Sequence, residues 1–261
     1  MQFYKYQGTG NDFIMIDNRN LFFPKTDVKL VEKMCDRRFG IGGDGLILLE
    51  NDDTSEGKTY KTDFKMVYYN SDGNESTMCG NGGRCLVAFA HFLGIFKHKT
   101  SFNAVDGLHE AEISNDIVKL KMIDVEDMQC LGQDFELNTG SPHYVRYVDR
   151  VEQYDVYENG NKIRNSATYA QQGINVNFVS QISDNEIFVR TYERGVEDET
   201  YSCGTGVTAS ALTFMKNREI TEVFVKTLGG NLKVYAQPAL GGFVDVWLEG
   251  PAKQVFSGVF L

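Results

Sequence analysis

The chain carries one short motif twice. Met78-Cys79-Gly80-Asn81-Gly82 and Ser202-Cys203-Gly204-Thr205-Gly206 set two cysteines 124 residues apart, each followed by Gly-x-Gly. Each motif opens a segment that is apolar nearly all round, residues 82–93 and 206–215. Such segments are predicted as helices buried on every side. A weaker echo lies upstream, where Thr9-Gly10-Asn11-Asp12-Phe13 is answered by Thr139-Gly140-Ser141-Pro142-His143 at an offset of 130. Asn70 precedes Cys79 by nine residues and Glu193 precedes Cys203 by ten. A small-residue turn with a packed thiol explains one Cys-Gly-x-Gly, but gives no reason for a second at the matching place.

Short strands fill most of the rest. Residues 13–17, 46–50, 64–69, 117–123, 144–148, 187–192, 223–227 and 242–248 are rich in β-branched or aromatic residues, with Gly, Asn and Asp between them. A further helix is predicted over residues 28–39. The expected fold is α/β of the mixed, α+β kind. It has two pseudo-symmetric domains, each a curled mixed β-sheet or barrel wrapped around a central apolar helix. The first domain takes residues 1–122 and carries Cys79; the second takes residues 123–250 and carries Cys203. The final strand, within residues 251–261, returns to the first domain.

Composition narrows the partners. Hydrophobic residues make up 42% of 261 and charged residues 24%, as in an ordinary globular protein with an ample core. A formal net charge of −10 argues against a surface that neutralises phosphates, so no nucleic-acid partner is expected. The apolar run 85–96, interrupted by His91 and Gly94, is far shorter than the ~20 residues of a spanning helix. No membrane partner is expected, and with no leader pattern at Gln2-Phe3-Tyr4 the expected location is the cytoplasm. The five cysteines, 35, 79, 85, 130 and 203, are odd in number and lack Cys-x-x-Cys spacing. Reduced thiols are expected, with no metal site.

A cysteine at a helix N-terminus has particular chemistry. The first turn offers N–H groups and the positive end of the macrodipole, which lowers a thiol's pKa from about 8.5 and can also hold a carboxylate. The glycines let a substrate approach the backbone. Two such termini gripping one α-carboxylate would leave a sulfur on either side of the α-carbon. One, as thiolate, takes the α-proton, and the other, as thiol, returns a proton to the opposite face. The configuration inverts, and no pyridoxal cofactor is needed.

These residues resemble the diaminopimelate epimerase family along nearly the whole chain. The resemblance rests on Lys5-Tyr6-Gln7-Gly8-Thr9-Gly10-Asn11-Asp12-Phe13, on Asn70-Ser71-Asp72-Gly73 leading to Met78-Cys79-Gly80-Asn81-Gly82-Gly83-Arg84-Cys85, on Gly173-Ile174-Asn175-Val176-Asn177-Phe178, and on Glu193-Arg194-Gly195 leading to Cys203-Gly204-Thr205-Gly206. It implies a cofactor-independent isomerase, cytoplasmic and homodimeric, that converts LL- to meso-diaminopimelate for lysine and peptidoglycan synthesis. Cys79 then matches the proton donor in that direction and Cys203 the proton acceptor. Gly80, Asn81, Gly204 and Thr205 match residues that hold the α-carboxylate. Asn11, Asn70, Asn175, Glu193 and Arg194 match substrate contacts, with Arg194 at the distal carboxylate as a buried guanidinium. His143 and Glu193 match residues that tune the thiols. Three places depart from the family pattern: Ser141 replaces a common asparagine among the substrate contacts, Gly45 stands where some relatives carry glutamine, and the turn 196–202 is one residue longer than usual.

Other functions fit the motifs. A racemase of proline, hydroxyproline or another amino acid would use the same thiols with a different distal pocket. A non-enzymatic protein that binds an amino acid would use the same helix termini without proton transfer.

Overall fold

In a computed structural model the segment Gly45–Glu50 is buried at all six positions, and a strand with that pattern needs cover on both faces. The residues described are 1–52, 61–76, 78–216 and 218–261. The chain divides into two units, Met1–Leu120 with Pro251–Leu261, and Lys121–Gly250.

The first unit contains β1 (Gln2–Gly8), β2 (Asn11–Asp17), β3 (Gly45–Glu50), β4 (Phe64–Asn70), β5 (Lys99–Ala104), β6 (Gly107–Ser114) and β7 (Ile117–Lys121), joined by the chain's last strand, β17 (Lys253–Val259). Their order is β17-β1-β2-β3-β4-β5-β6-β7. The β2–β3 and β4–β5 pairs are parallel and the others antiparallel. Two helices cover this sheet, α1 (Val28–Cys35) and α2 (Gly80–Phe92). The second of them touches β1, β2, β3, β6 and β17, strands from both halves of the sheet, so the sheet curls around it. On the other face Val31 and Met34 of α1 pack with Ile14, Ile16, Leu46 and Leu48. Strand alternation sends Phe13 the opposite way, beneath Gly82 of α2.

The second unit repeats this plan. It contains β8 (Met128–Leu131), β9 (Asp134–Asn138), β10 (Pro142–Tyr147), α3 (Val156–Arg164), β11 (Asn175–Ser183), β12 (Glu186–Glu193), β13 (Asp198–Thr200), α4 (Gly204–Met215), β14 (Glu222–Thr227), β15 (Gly230–Ala239) and β16 (Gly242–Pro251). Its order is β8-β9-β10-β11-β12-β14-β15-β16, with β10–β11 and β12–β14 parallel and β13 pairing the end of β12. This is the same succession of parallel and antiparallel pairs. Helix α4 is buried at every position but Thr205, and its hydroxyls bond back into the helix, Thr208 to the Gly204 carbonyl at 2.9 Å and Ser210 to that of Gly206 at 2.8 Å. Helix α3 covers the other face, with Val156 packed beside Tyr144, Val176, Phe178 and Tyr192.

Register makes the match residue by residue. In the first unit Phe13, Gly45 and Asn70 lie level across β2, β3 and β4; in the second, His143, Asn175 and Glu193 lie level across β10, β11 and β12. The buried helices start two residues earlier than the apolar pattern predicts, so both cysteines are N-caps. The helix predicted over 28–39 stops at Cys35. There Asp36 turns extended (φ −61°, ψ 124°) and its carboxylate accepts from the Arg38 and Phe39 N–H groups, each at 2.7 Å.

The paired glycines after each cysteine allow a direct comparison. A Cβ at Gly82 would meet the Ile47 methyl end at 3.1 Å and the Phe13 ring at an ordinary 3.5 Å, whereas one at Gly206 would lie 2.2 Å from Asn177 Oδ1. A Gly82→Ala change is expected to alter stability by less than about 1 kcal/mol, since gained helix propensity offsets the crowding. Gly206→Ala is expected to cost about 1–3 kcal/mol, the range of an overpacked core site. Urea unfolding of the two variants checks the difference, and equal losses would contradict it.

Candidate active site

A cysteine is a poor helix cap, and neither one here caps. Cys79 (φ −96°, ψ 131°) precedes α2, and Cys203 (φ −107°, ψ 112°) precedes α4, neither making a side-chain capping bond. Each carbonyl starts its helix, Cys79 receiving the Gly83 N–H at 2.7 Å and Cys203 the Val207 N–H at 2.8 Å. Cys79 is half-buried and Cys203 buried, its Sγ 3.4 Å from Thr205 Oγ1.

In the first unit the two-residue turn Thr9-Gly10, with φ of 50° and 96°, reverses the chain so that Asn11 opens β2. Asn81 Nδ2 on the first turn of α2 donates to Asn11 Oδ1, bringing two of the predicted residues together. Asn11 Nδ2 donates in turn to Asp44 Oδ2 at 3.0 Å. Behind them stands a charged lattice: Lys5 and Arg37 lie 2.8 and 2.6 Å from Asp12, and Arg37 lies 2.7 Å from Asp44. Burial alone would raise the Asp12 carboxyl, but hydrogen bonds from Arg37 and Lys5 hold it below the usual carboxylate range. Asn70 ends β4 opposite Gly45, and its backbone closes the turn to Asn74. At Gly45 a Cβ would meet the Tyr68 ring and the Tyr69 carbonyl, each at 2.5 Å, so the backbone here leaves no room for a side chain.

In the second unit Thr139 Oγ1 donates to the Thr205 carbonyl at 2.9 Å, tying the matching turn to the first turn of α4. Asn175 Nδ2 donates to Ser141 Oγ at 2.9 Å, while its Oδ1 accepts the Arg194 N–H at 2.9 Å. Arg194 Nη2 reaches the same Ser141 oxygen at 3.3 Å and Nη1 the Gln172 carbonyl at 3.1 Å. Ser141, Asn175 and Arg194 thus form one cluster, with Glu193 beside it accepting from Thr200 Oγ1 at 2.9 Å. The expectation of a buried guanidinium is corrected: Arg194 is exposed, because it starts the turn after β12 and lays its stem over Gly173. A Cβ at Gly173 (φ 73°) would lie 2.6 Å from Arg194 Cδ.

His143 is wholly buried under α4. Asn177 Nδ2 donates to its Nδ1 at 3.1 Å, which leaves the ring hydrogen on Nε2, an atom with no partner among the described residues. Asn177 Oδ1 accepts from Thr191 at 2.9 Å. Burial, then the Arg194 charge, lowers His143 from 6.5 to about 3, so the ring is neutral. Asn177, Thr191, Thr139 and Asp44 carry no sequence signal of a role, although Asn177 lies inside the stretch Gly173-Ile174-Asn175-Val176-Asn177-Phe178. Among the described residues no three His, Cys, Asp or Glu side chains converge as metal ligands, and no helix is long and apolar enough to cross a membrane.

The lowered His143 value sets a sign. Between pH 6.5 and about 3 the unfolded chain binds a proton that the folded one refuses, so this residue makes stability fall as pH drops through that window. His143→Gln, which cannot titrate, is expected to show a shallower loss of stability from pH 6.5 to 4 than the native chain. Denaturant titrations at several pH values measure both slopes, and parallel slopes would count against a neutral buried ring.

Comparison with known proteins agrees in extent with this duplicated layout. A family model described as diaminopimelate epimerase matches residues 3–126 and 135–246. The chain is 55% identical over 260 residues to a diaminopimelate epimerase of Flavobacterium psychrophilum, covering 98% of this chain and 99% of that one. It is 42% identical over 263 residues to one of Chlorobaculum tepidum, covering 96% and 98%. Solved structures share the fold at low identity. A Bacillus anthracis phenazine biosynthesis protein of the PhzF family has a TM-score of 0.76 at 13% identity, covering 100% of this chain and 99% of its own. A hydroxyproline epimerase from Agrobacterium vitis has 0.68 at 14%, covering 99% and 91%. With both cysteine motifs inside a match that spans nearly its full length, this chain belongs to the diaminopimelate epimerase family.

Proposed function

We propose that this protein is an isomerase that inverts one α-carbon of diaminopimelate, interconverting the LL and meso forms, with Cys79 and Cys203 as proton carriers and no cofactor. The observation that carries the reading is the repeated helix start, a thiol at an N-cap that it does not cap, once in each unit. In the LL-to-meso direction the Cys203 thiolate takes the α-proton, and the electrons of the broken C–H bond spread onto the α-carboxylate. The Cys79 thiol then gives its proton to the opposite face, becoming the thiolate. Amides at Gly80, Asn81, Gly204 and Thr205 hold the carboxylate as its charge grows, a helix-end effect of about 0.3–2 kcal/mol each. Asn11, Asn70, Ser141, Asn175 and Glu193 contact the substrate, and Arg194 meets its distal carboxylate. Neutral His143 and Glu193 tune the thiols.

Proline and hydroxyproline racemisation is disfavoured, since those substrates offer Arg194 no second carboxylate, and the relatives matched at high identity are diaminopimelate epimerases. The same reading makes the protein a cytoplasmic homodimer acting on a small molecule, with neither nucleic acid nor membrane as partner. Light scattering on the purified protein tests the dimer.

Replacing either cysteine by alanine is expected to reduce net epimerisation by about 10²–10⁴, the usual weight of one general acid–base group. In deuterium oxide, Cys79→Ala retains the Cys203 base and is expected to exchange the α-hydrogen of LL substrate without inverting it. Near-normal inversion by either variant sinks the two-thiol scheme, and no exchange of any candidate amino acid by the native protein favours a mere binder. For Arg194→Met, kcat/KM on diaminopimelate is expected to fall roughly 10- to 100-fold, the range of a charged hydrogen bond. Residual activity on lysine should stay unchanged. Equal turnover of lysine, proline and diaminopimelate by the native enzyme would refute the substrate while leaving the thiol chemistry standing.

A further inference from the structure

One charged side chain in the first unit has no part in the reaction as described. Arg84 of α2 is wholly buried, forms no ion pair among the described residues, and leaves Nε and Nη1 without an acceptor. A buried guanidinium without a carboxylate is costly, and an orphaned buried donor calls for an explanation. Its acceptor among the described residues is Thr9 Oγ1, 3.0 Å from Nη2.

Thr9 is itself anomalous. It is buried, and its φ of 50° lies where a β-branched residue is a rare outlier. Asn, Asp or Gly would relax this turn position. What Thr9 supplies is a hydroxyl between Arg84 and the first turn of α2. Because Arg84 occupies the oxygen, the Thr9 hydrogen turns to Asn81 Oδ1 at 3.5 Å, the acceptor in reach among the described residues. Asn81 Nδ2 donates to Asn11 Oδ1, and Asn11 Nδ2 donates to Asp44 Oδ2 at 3.0 Å. Every donor points the same way, from a buried cation to a carboxylate. Asp44 is held by Arg37 at 2.7 Å and by the Asp12 N–H at 3.2 Å. Reversing the chain would aim the Asn11 carbonyl oxygen at Asp44 and an Asn81 N–H at a hydroxyl already facing a cation.

We propose that Arg84 is a positioning residue that, through Thr9, fixes the amide orientations of Asn81 and Asn11 so that they offer N–H groups to the substrate's carboxylate. This rests on the reading of Asn11 and Asn81 as substrate contacts. An amide turned the other way would present oxygen to a carboxylate and repel it. Arg84 and Thr9 therefore act on substrate binding without touching substrate.

The test uses Arg84→Met, Thr9→Val, their double variant, Arg84→Lys and Asn11→Ala, with KM and kcat for LL-diaminopimelate and thermal melting of each. Arg84→Met and Thr9→Val are each expected to raise KM about tenfold, the weight of one misdirected charged hydrogen bond. The double variant should be no worse than the poorer single, since both cut one chain. Arg84→Lys, which keeps a cationic donor, should recover a KM below that of Arg84→Met. If Asn11→Ala raises KM while Arg84→Met and Thr9→Val leave it unchanged, the inference is overturned and the site reading stands. Multiplying effects in the double variant, or a KM as high in Arg84→Lys as in Arg84→Met, also overturn it. If Asn11→Ala leaves KM unchanged, the reading of the contacts fails and this inference with it. Should Arg84→Met not fold, Thr9→Val decides alone, because it retains Arg84 and removes one oxygen.

Discussion

The structure depends on two helix N-termini that are buried without a capping side chain. An α-helix leaves its first N–H groups without intrahelical partners, and a buried end normally recruits Ser, Thr, Asp or Asn to meet them, worth about 1 kcal/mol. This chain does so where only stability is at stake. Asp27 caps α1, accepting the Leu30 N–H at 3.0 Å, and Asp155 caps α3, accepting that of Glu158 at 2.9 Å. The helix at the centre of each unit has cysteine instead. A carboxylate cap there would consume the amides and repel an anionic substrate. A thiol leaves the amides to a ligand and adds a titratable group at the positive end of the helix.

The two units match in backbone and differ in what lies under that helix. Phe13, Ile47 and Tyr68 stand in the first unit at the register positions of His143, Asn177 and Thr191 in the second. One set is largely apolar and the other is a hydrogen-bonded chain ending in a neutral imidazole. The first unit places its polarity elsewhere, in Arg84 beside the helix start and in the lattice of Lys5, Asp12, Arg37 and Asp44 at the strand ends. Matching sheets therefore surround their thiols with different electrostatics. That difference suits the proposed scheme, in which one thiol starts each turnover as the base and the other as the acid.

The repeat and the buried helices were legible in the sequence because each leaves a local signature, a cysteine motif or an all-round apolar run. The flanking helix α3 was not legible: Val156–Arg164 is largely polar, and only Val156 and Gly160 of its nine residues are buried. Several strands escaped because their periodicity is weak, as in β9 (Asp134–Asn138), where one residue of five is buried. Among candidate site residues, those inside motifs, such as Asn11, Asn81 and Asn175, could be named from order alone. The partners that orient them could not. Thr9 reads as an ordinary turn residue, Asn177 as a polar residue in a strand, and Asp44 lies 33 positions from the amide it receives. Such pairings belong to sheet register, which no single stretch of chain encodes.

Register also sets an order on how the first unit is completed. In the second unit the edge strand β8 comes directly before its partner β9, and the whole sheet is contiguous in sequence. In the first unit the matching strand is β17, which pairs with β1 from the other end of the chain. The termini are tied together there, Met1 N–H to the Phe260 carbonyl at 2.7 Å and Phe260 N–H to that of Met1 at 2.8 Å. Pairing across such a separation carries a large loop-closure cost and forms slowly. Until it forms, β1 is an open edge and α2 lacks one of the strands it packs on. The end of β1 also packs directly on the start of α2, since a Cβ at Gly8 would lie 3.1 Å from Cys85 Sγ and 3.2 Å from the Asn81 carbonyl. The turn that carries Thr9 and Asn11 hangs from that end. The unit that carries Cys79 is therefore tied to the last strand of the chain, whereas the sheet of the unit that carries Cys203 is contiguous in sequence.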